Sequence, residues 1–232
     1  MRQITFQNVL KEDSVPMARL GELAQTEDGR EWRYVKFNEA FGTKGMIATR
    51  IANTDVDTVS SSTDGDSNIT KVTEASAGWT VGQFENAWLL VDDGTGEGQF
   101  AKVKTNSADT LNLYTDYALT TALDVADSDI VLARPYLAEK SAITVLNQIL
   151  LGVAQITTTA NYYGWVQIRG YGGVLVGDVI TANEQITPGD DTEGTGINVG
   201  SGETIDDAST VGRCVVANTT ADKACLADII IY

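Results

Sequence analysis

The chain contains no histidine. That absence removes Ser-His-Asp and Cys-His catalysis, together with every histidine-ligated zinc or iron site. Of the enzyme chemistries, carboxylate pairs of the glycosidase kind and unusual lysine or tyrosine schemes remain. Cysteine is scarce as well, with only Cys214 and Cys225 present. The stretch VGRCVVANTTADKACLADIIIY around them reads as a hairpin turning near Thr220 and Ala221, with residue 214 facing 227 and 216 facing 225. Both thiols then share one sheet face on a diagonal, too far apart for a good disulfide. They are expected to be free and buried, as in a reducing compartment. No apolar run approaches the roughly 18 residues needed to span a bilayer. The opening MRQITFQNVLKEDS lacks the apolar stretch of a signal peptide. The expectation is a soluble protein made in a cytoplasm.

Basic residues are few, and unevenly placed. The formal net charge is -16. Residues 1–50 hold eight Lys and Arg against seven Asp and Glu, whereas residues 51–232 hold eight against twenty-five. An acidic body of this kind repels nucleic acid and anionic membranes, so neither is expected as a partner. The balance fits an acidic outer surface with a mixed-charge N-terminal segment, or solubility alone.

What the chain does have is strand patterning. Its 232 residues make one large domain or two small ones. GREWRYVKF (29–37) alternates, with Trp32, Tyr34 and Lys36 on one side and Arg33, Val35 and Phe37 on the other. Either a mobile or partner-bound arm precedes it, or it is a first strand packed on its own domain. Short β-branched runs separated by Gly and Asp turns follow: MIATRIANTDVDTV, ITKVTEA, WTVGQFENAWLLVDD, FAKVKTNSA, TLNLYTDYAL and DIVLARPY. ITTTANYYGWVQIRG, GGVLVGDVITAN and the last hairpin continue the series. This argues a mainly β fold of sandwich or barrel-like sub-domains with an extended N-terminal segment. Ala138–Leu151 is the exception, readable as a helix from Ile143, Leu146 and Leu150 or as an extended linker. Three segments are drawn: 1–46, 47–136 and 137–232.

Three acidic loops offer oxygen ligands, but none has a calcium-site spacing. Asp64-Gly65-Asp66-Ser67-Asn68 opens like an EF-hand loop, then has Ile69 where glycine is needed and Ala75 where a bidentate Glu belongs. Asp92, Asp93 and Glu97 in DDGTGEG form the second, and Asp190, Asp191 and Glu193 the third. The glycines of residues 94–98 precede a strand rather than a helix, which removes the usual phosphate-binding geometry. They read as positive-φ turns in a hairpin. No metal, cofactor or catalytic residue is assigned. Tyr162, Tyr163, Trp165, Arg169 and Tyr171 crowd one strand, which is either an aromatic core stripe or a subunit interface.

The stretch AWLLVDDGTGEGQFAKVKTNSADTLNLYTDYALTTALDVADSDIVLARPY (87–136) resembles structural proteins of tailed-phage virions. In those an apolar strand, D-G-x-G-E-G-Q, a basic strand, an Asn-Thr/Ser turn, L-x-L-Y, T-A-L-D and a closing Pro-Tyr follow in this order. TANYYGWVQIRGYGGVLVGDVITAN (159–183), with VGRCVVA and a closing strand, is similar to their C-terminal halves. DGREWRYVK (28–36) is similar to a phrase near their N-termini. Residues 137–155 depart from the pattern. The resemblance implies a capsid decoration, or cement, protein: a non-enzymatic homotrimer on the outer surface of a phage head, made in the bacterial host and bound to the major capsid protein. Arg2, Phe6, Lys11, Arg19, Arg30, Trp32, Arg33, Tyr34 and Lys36 are the expected capsid contact. Tyr162, Tyr163, Trp165, Arg169 and Tyr171 are the expected subunit interface. The alternatives are a head fibre or tail component that touches the host surface, and a glycan-binding or glycan-hydrolysing β module.

Overall fold

The structure, a computed structural model, describes residues 1–51, 54–56, 59–62, 68–141, 149–189, 193–198 and 210–231. It is mainly β, in two sheets. Met1–Ile51 and Tyr136–Tyr232 form one compact unit, and Ala52–Pro135 form a second, so the second is an insertion in the first.

The first unit opens with β1 (Arg2–Gln3), α1 (Phe6–Val9), β2 (Glu12–Asp13), β3 (Leu23–Gln25), β4 (Glu31–Phe37) and β5 (Met46–Arg50). The second contains β6 (Thr54–Val56), β7 (Ser61–Ser62), β8 (Lys71–Thr73), β9 (Trp88–Asp93), β10 (Phe100–Asn106), β11 (Thr110–Leu113), a 3-10 turn at Thr115–Tyr117 and β12 (Asp129–Ala133). The chain then returns to the first unit through β13 (Leu137–Lys140), β14 (Leu150–Ala154), β15 (Tyr163–Val176), β16 (Gln185–Pro188), β17 (Gly196–Asn198), β18 (Gly212–Val216) and β19 (Lys223–Ile230). Strands therefore stand at both ends of the stretch readable as a helix; residues 142–148 lie outside the described residues.

In the first unit β15 is the shared wall of two closed strand circuits. Its first half pairs with β4, and the path β4-β13-β5-β14-β15 returns to it. Its second half pairs with β19, and β15-β17-β16-β18-β19 closes a second circuit. A register shift between Gln167 and Arg169 marks the change of partner. The buried Gln167 amide donates from Nε2 to the carbonyls of Arg169, Gly170 and Tyr171 at 3.1, 2.9 and 3.1 Å. Its two N–H protons are shared among these three carbonyls where the ladder is broken. Each circuit has its own apolar filling: Val35, Phe37, Phe41 and Val166 in the first, Ile168, Val174, Ile186 and Ile229 in the second. Trp32, Tyr34 and Trp165 fill a third cluster with Val9 and Ala24, on the other side of β4. β4 is thus buried on both faces, which the alternation of GREWRYVKF alone did not distinguish from a one-sided strand.

The N-terminal segment is not a free arm. β1 runs parallel to β3, and β2 pairs with the start of β15. Glu12 accepts hydrogen bonds from the Thr159 amide and hydroxyl.

The second unit orders its strands β6-β12-β9-β10-β11-β8-β7. Alternate residues Leu89, Val91, Ala101, Val103, Leu111, Leu113, Ile130 and Leu132 point into one core with Phe84 and Trp79. The intervening residues of these strands face the other way.

Candidate interaction surfaces

Of the nine N-terminal residues expected at a capsid contact, the eight with described side chains are buried, half-buried or exposed in three groups. Trp32 and Tyr34 are 0% exposed. Trp32 donates from Nε1 to Thr26 Oγ1 at 3.3 Å, and the Tyr34 hydroxyl accepts from the Met17 amide at 2.9 Å. Burial pushes the Tyr34 phenol above its ordinary value. These two are core residues of their own unit, because β4 is covered on both faces, and they are corrected out of the contact set. Arg33 is half-buried, with Nη1 directed at the carbonyls of Leu150 and Leu151 at 3.5 and 3.4 Å; burial lowers its guanidinium from the usual value. Arg30 grips Asp28, donating from Nε at 2.8 Å, and lies over the Trp32 ring at 5.8 Å. Arg30 and then Thr26 hold the Asp28 carboxyl well below the usual carboxylate range. Lys36 sits over the Tyr163 ring at 5.7 Å. Arg2, Lys11 and Arg19 remain exposed, Arg2 with a loose pair to Glu22 at 3.4 Å. Phe6 lies in α1; its side chain is outside the described residues.

The aromatic strand divides in the same way. Trp165 is buried against Tyr34, with ring centroids 4.9 Å apart, and Tyr163 stacks with Tyr34 at 6.4 Å. Tyr162 is half-buried. The core-stripe alternative holds for Trp165 and Tyr163, since both belong to the cluster around Val9 and Ala24. Arg169 and Tyr171, past the register shift, point outward; Tyr171 is 62% exposed. Facing pairs place Ile230 beside Arg169, Asp228 beside Tyr171 and Leu226 beside Gly173. Arg213 stands opposite Asp228 on β18 and Val216 opposite Leu226. The outer face of β15, β19 and β18 therefore sets two arginines and Asp228 among apolar residues, and no sequence pattern spanning these three strands announced it.

A second face lies on the inserted unit. Outward residues run in rows across strands: Val131, Leu90 and Phe100 in one, Ala133, Trp88, Lys102 and then Tyr114 in the next. Phe100 is 62% exposed and Leu90 42%. Trp88 packs 6.0 Å from Phe100 and 5.6 Å from Tyr117. The Lys102 ammonium lies 5.6 Å from the Trp88 ring centre and 5.9 Å from that of Tyr114. These contacts hold the Lys102 stem against the aromatic surface and leave its charge outward.

The acidic loops are built as turns. In DDGTGEG the glycines Gly94, Gly96 and Gly98 all have positive φ, as expected for a hairpin. Asp93 caps the Gly94 amide at 2.8 Å, and Asp127 accepts from the Thr95 amide at 3.0 Å. Gln99 Oε1 accepts from the amides of Thr120 and Thr121 at 2.7 and 3.0 Å, tying the loop to the segment before β12. Residues 64–67 and 190–192 of the other two loops lie outside the described residues; Glu193 pairs with Lys140 at 3.1 Å. Lys140 also meets Glu39 at 3.1 Å, and these two carboxylates, Glu39 foremost, raise its ammonium above the ordinary value. Among the described residues no three acidic or cysteine side chains gather as a metal-holding group.

Cys214 and Cys225 are free and buried on one sheet face. Cys214 faces Ala227 as expected, but a register shift between Cys214 and Val216 sets Val216 opposite Leu226 rather than residue 225. Burial raises both thiols, Cys225 to about 12. Compared with known proteins, the chain matches no family model, no curated protein and no solved structure.

Proposed function

We propose that the chain is a capsid decoration protein that binds the outside of a phage head, assembles there as a homotrimer and stabilises contacts between capsomers. The observation that carries this reading is the ordered series of phrases in residues 87–136 and 159–183 that resembles virion structural proteins. A β-rich clamp needs no chemistry for such a role: it stabilises the shell by binding its assembled form, through interface area added across capsomer joints. Several subunits engaging a symmetric lattice together convert modest single contacts into high avidity. The exposed cations Arg2, Lys11 and Arg19 are assigned to the capsid, and the outer face of β15, β19 and β18, where Arg169, Arg213 and Tyr171 stand among Leu226, Ile230 and Val216, to the contact between subunits of the trimer. The three cations are free of the unit's core and suit a negatively charged docking site, while the face of β15, β19 and β18 sets Arg169, Arg213 and Asp228 among apolar groups, as subunit contacts do.

The test is cosedimentation of the purified chain with undecorated heads of the virus that encodes it. Many copies spread over the shell are expected, and a triple Arg2→Glu, Lys11→Glu, Arg19→Glu variant should lose binding with an unchanged melting curve. Removing residues 1–20 is a poorer test, because it also deletes buried Val9 and the β2 pairing with β15. Undiminished binding by the triple variant overturns the assignment. A few copies at a vertex or tail would move the chain to the fibre or tail class.

A further inference from the structure

We propose that the outer face of β12, β9, β10 and β11 is a contact surface for a second copy of this chain, arranged face to face about a two-fold axis. The face is polar at both ends and apolar between them, and the two ends carry opposite charge. At one end are Asp92, at the outward position beyond Leu90, and Glu97 in the loop that follows β9. At the other are Lys102, Lys104 and, on β8 opposite Asn112, Lys71. Residues 52–135 contain only four basic residues, Lys71, Lys102, Lys104 and Arg134, so three of the four stand on this one face. Asp92 and the Trp88–Lys102 row are four residues apart along the strand, roughly 14 Å at about 3.4 Å per residue.

Between the charged ends lie Leu90, Phe100, Val131, Trp88 and Tyr117. Exposed Leu and Phe beside Trp and Tyr make an apolar patch of the kind that protein surfaces cover. Among the described residues, Asp92, Glu97, Lys102 and Lys104 form no ion pair within the chain. A two-fold rotation about the centre of the patch lays the lysine end of each copy on the acidic end of the other and the apolar rows on each other, which is the self-complementarity an isologous contact requires. The acidic end also argues against a nucleic-acid strand along the same face, since it would meet the phosphates.

Four strands about 4.8 Å apart and about six residues long give a patch of roughly 20 Å by 20 Å, near 400 Å² per copy. That is below the roughly 800 Å² per partner of a standard stable interface. The association is therefore concentration-dependent and salt-sensitive rather than permanent. The inference rests on the isolated chain and not on the capsid reading, so either can fail without the other.

The experiment is sedimentation velocity of the full chain over a range of concentrations, at low and high salt. A monomer–dimer equilibrium that weakens with salt is expected. Phe100→Ser and the double variants Lys102→Glu/Lys104→Glu and Asp92→Lys/Glu97→Lys should each be monomeric with unchanged circular dichroism. An equimolar mixture of the two double variants should dimerise again, because the two-fold arrangement then pairs opposite charges at both ends. A monomer at all concentrations overturns the proposal, as does a dimer or trimer that all three variants leave intact, or a mixture of the double variants that stays monomeric. Retention of an acidic polysaccharide such as polygalacturonate by the monomer, lost in the Lys102→Glu/Lys104→Glu variant, would reassign the face to a glycan.

Discussion

Replacing Gly94 and Gly98 by alanine, one at a time, separates two reasons for glycine in the same turn. Both residues have positive φ, +77° and +83°. An alanine at Gly98 meets nothing within 4 Å, so its cost is the backbone conformation alone, about 1 kcal/mol. An alanine Cβ at Gly94 would lie 1.9 Å from the Asp127 carbonyl oxygen and 2.4 Å from its carbon. Main-chain atoms must then move. The segment they belong to is held by Thr95 N–H to Asp127 Oδ1 at 3.0 Å and by Ser128 Oγ to the Thr95 carbonyl at 2.8 Å. Losing those two bonds adds about 1 kcal/mol each, which brings Gly94→Ala to about 3 kcal/mol. The difference, about 2 kcal/mol, corresponds to roughly 8–16 °C in melting temperature for a unit of this size. Urea and thermal melts followed by tryptophan fluorescence read it directly, because Trp79 and Trp88 lie in the inserted unit. Trp32 and Trp165 lie in the other, and a transition reported by them should stay in place. Equal losses from the two alanines would refute the close approach as the reason for Gly94.

Asn106→Ala should cost about 2–3 kcal/mol in the same melts: its buried Oδ1 accepts from the Phe84 amide at 2.8 Å, and its Nδ2 donates to the carbonyls of Thr80 and Ser107. Asn106→Asp should be no milder, since a carboxylate there faces two carbonyls; a neutral outcome for either would deny the side chain its role in fixing residues 80–84. Cys214 and Cys225 should resist a thiol reagent such as DTNB in the folded protein and react on unfolding, and rapid labelling of the native chain would contradict their burial. Because Cys225 is raised in the folded state, its contribution to stability is complete below the ordinary thiol range and is lost as pH rises from about 9 toward about 12. A Cys225→Ala variant should show a flatter decline of stability above pH 9 than the parent chain.

Local alternation in the sequence was enough to place strands wherever one face is buried. WLLVDD and FAKVKT alternate cleanly, and their inward residues Leu89, Val91, Ala101 and Val103 are the core of the inserted unit. It was not enough for β4, which pairs with nearby β3 but also with β13 and β15, more than a hundred residues away. Trp32 and Tyr34 carry contact-surface chemistry in a linear reading; they are covered by Trp165 from a distant strand and by Val9 and Ala24 from the weakly patterned segment before β4. Trp165 is covered in turn by Tyr34. The segment drawn at 47–136 lies close to the inserted unit 52–135, but nothing in local patterning showed that the parts on either side of it join in one unit, because that pairing is between distant strands.

DDGTGEG reads as a possible ligand loop only if its acids are taken together. The hairpin it makes sends them apart. Asp93 turns onto the Gly94 amide, while Asp92 stays on the outer face beyond Leu90. The reversal through Gly94, Gly96 and Gly98 then brings β10 back antiparallel, with Phe100 against Leu90 and Lys102 against Trp88. Alternation puts Phe100 and Lys102 on the same side as Trp88, Leu90 and Asp92, and Lys104, at the register shift between Val103 and Thr105, is exposed beyond them. One tight turn between two alternating strands is thus sufficient to produce an acidic end, an apolar middle and a basic end on a single surface. The consequence is physical rather than compositional: in a chain with a net charge of -16, general repulsion between copies is opposed at this one face, where the orientation that brings the apolar rows together also brings opposite charges together.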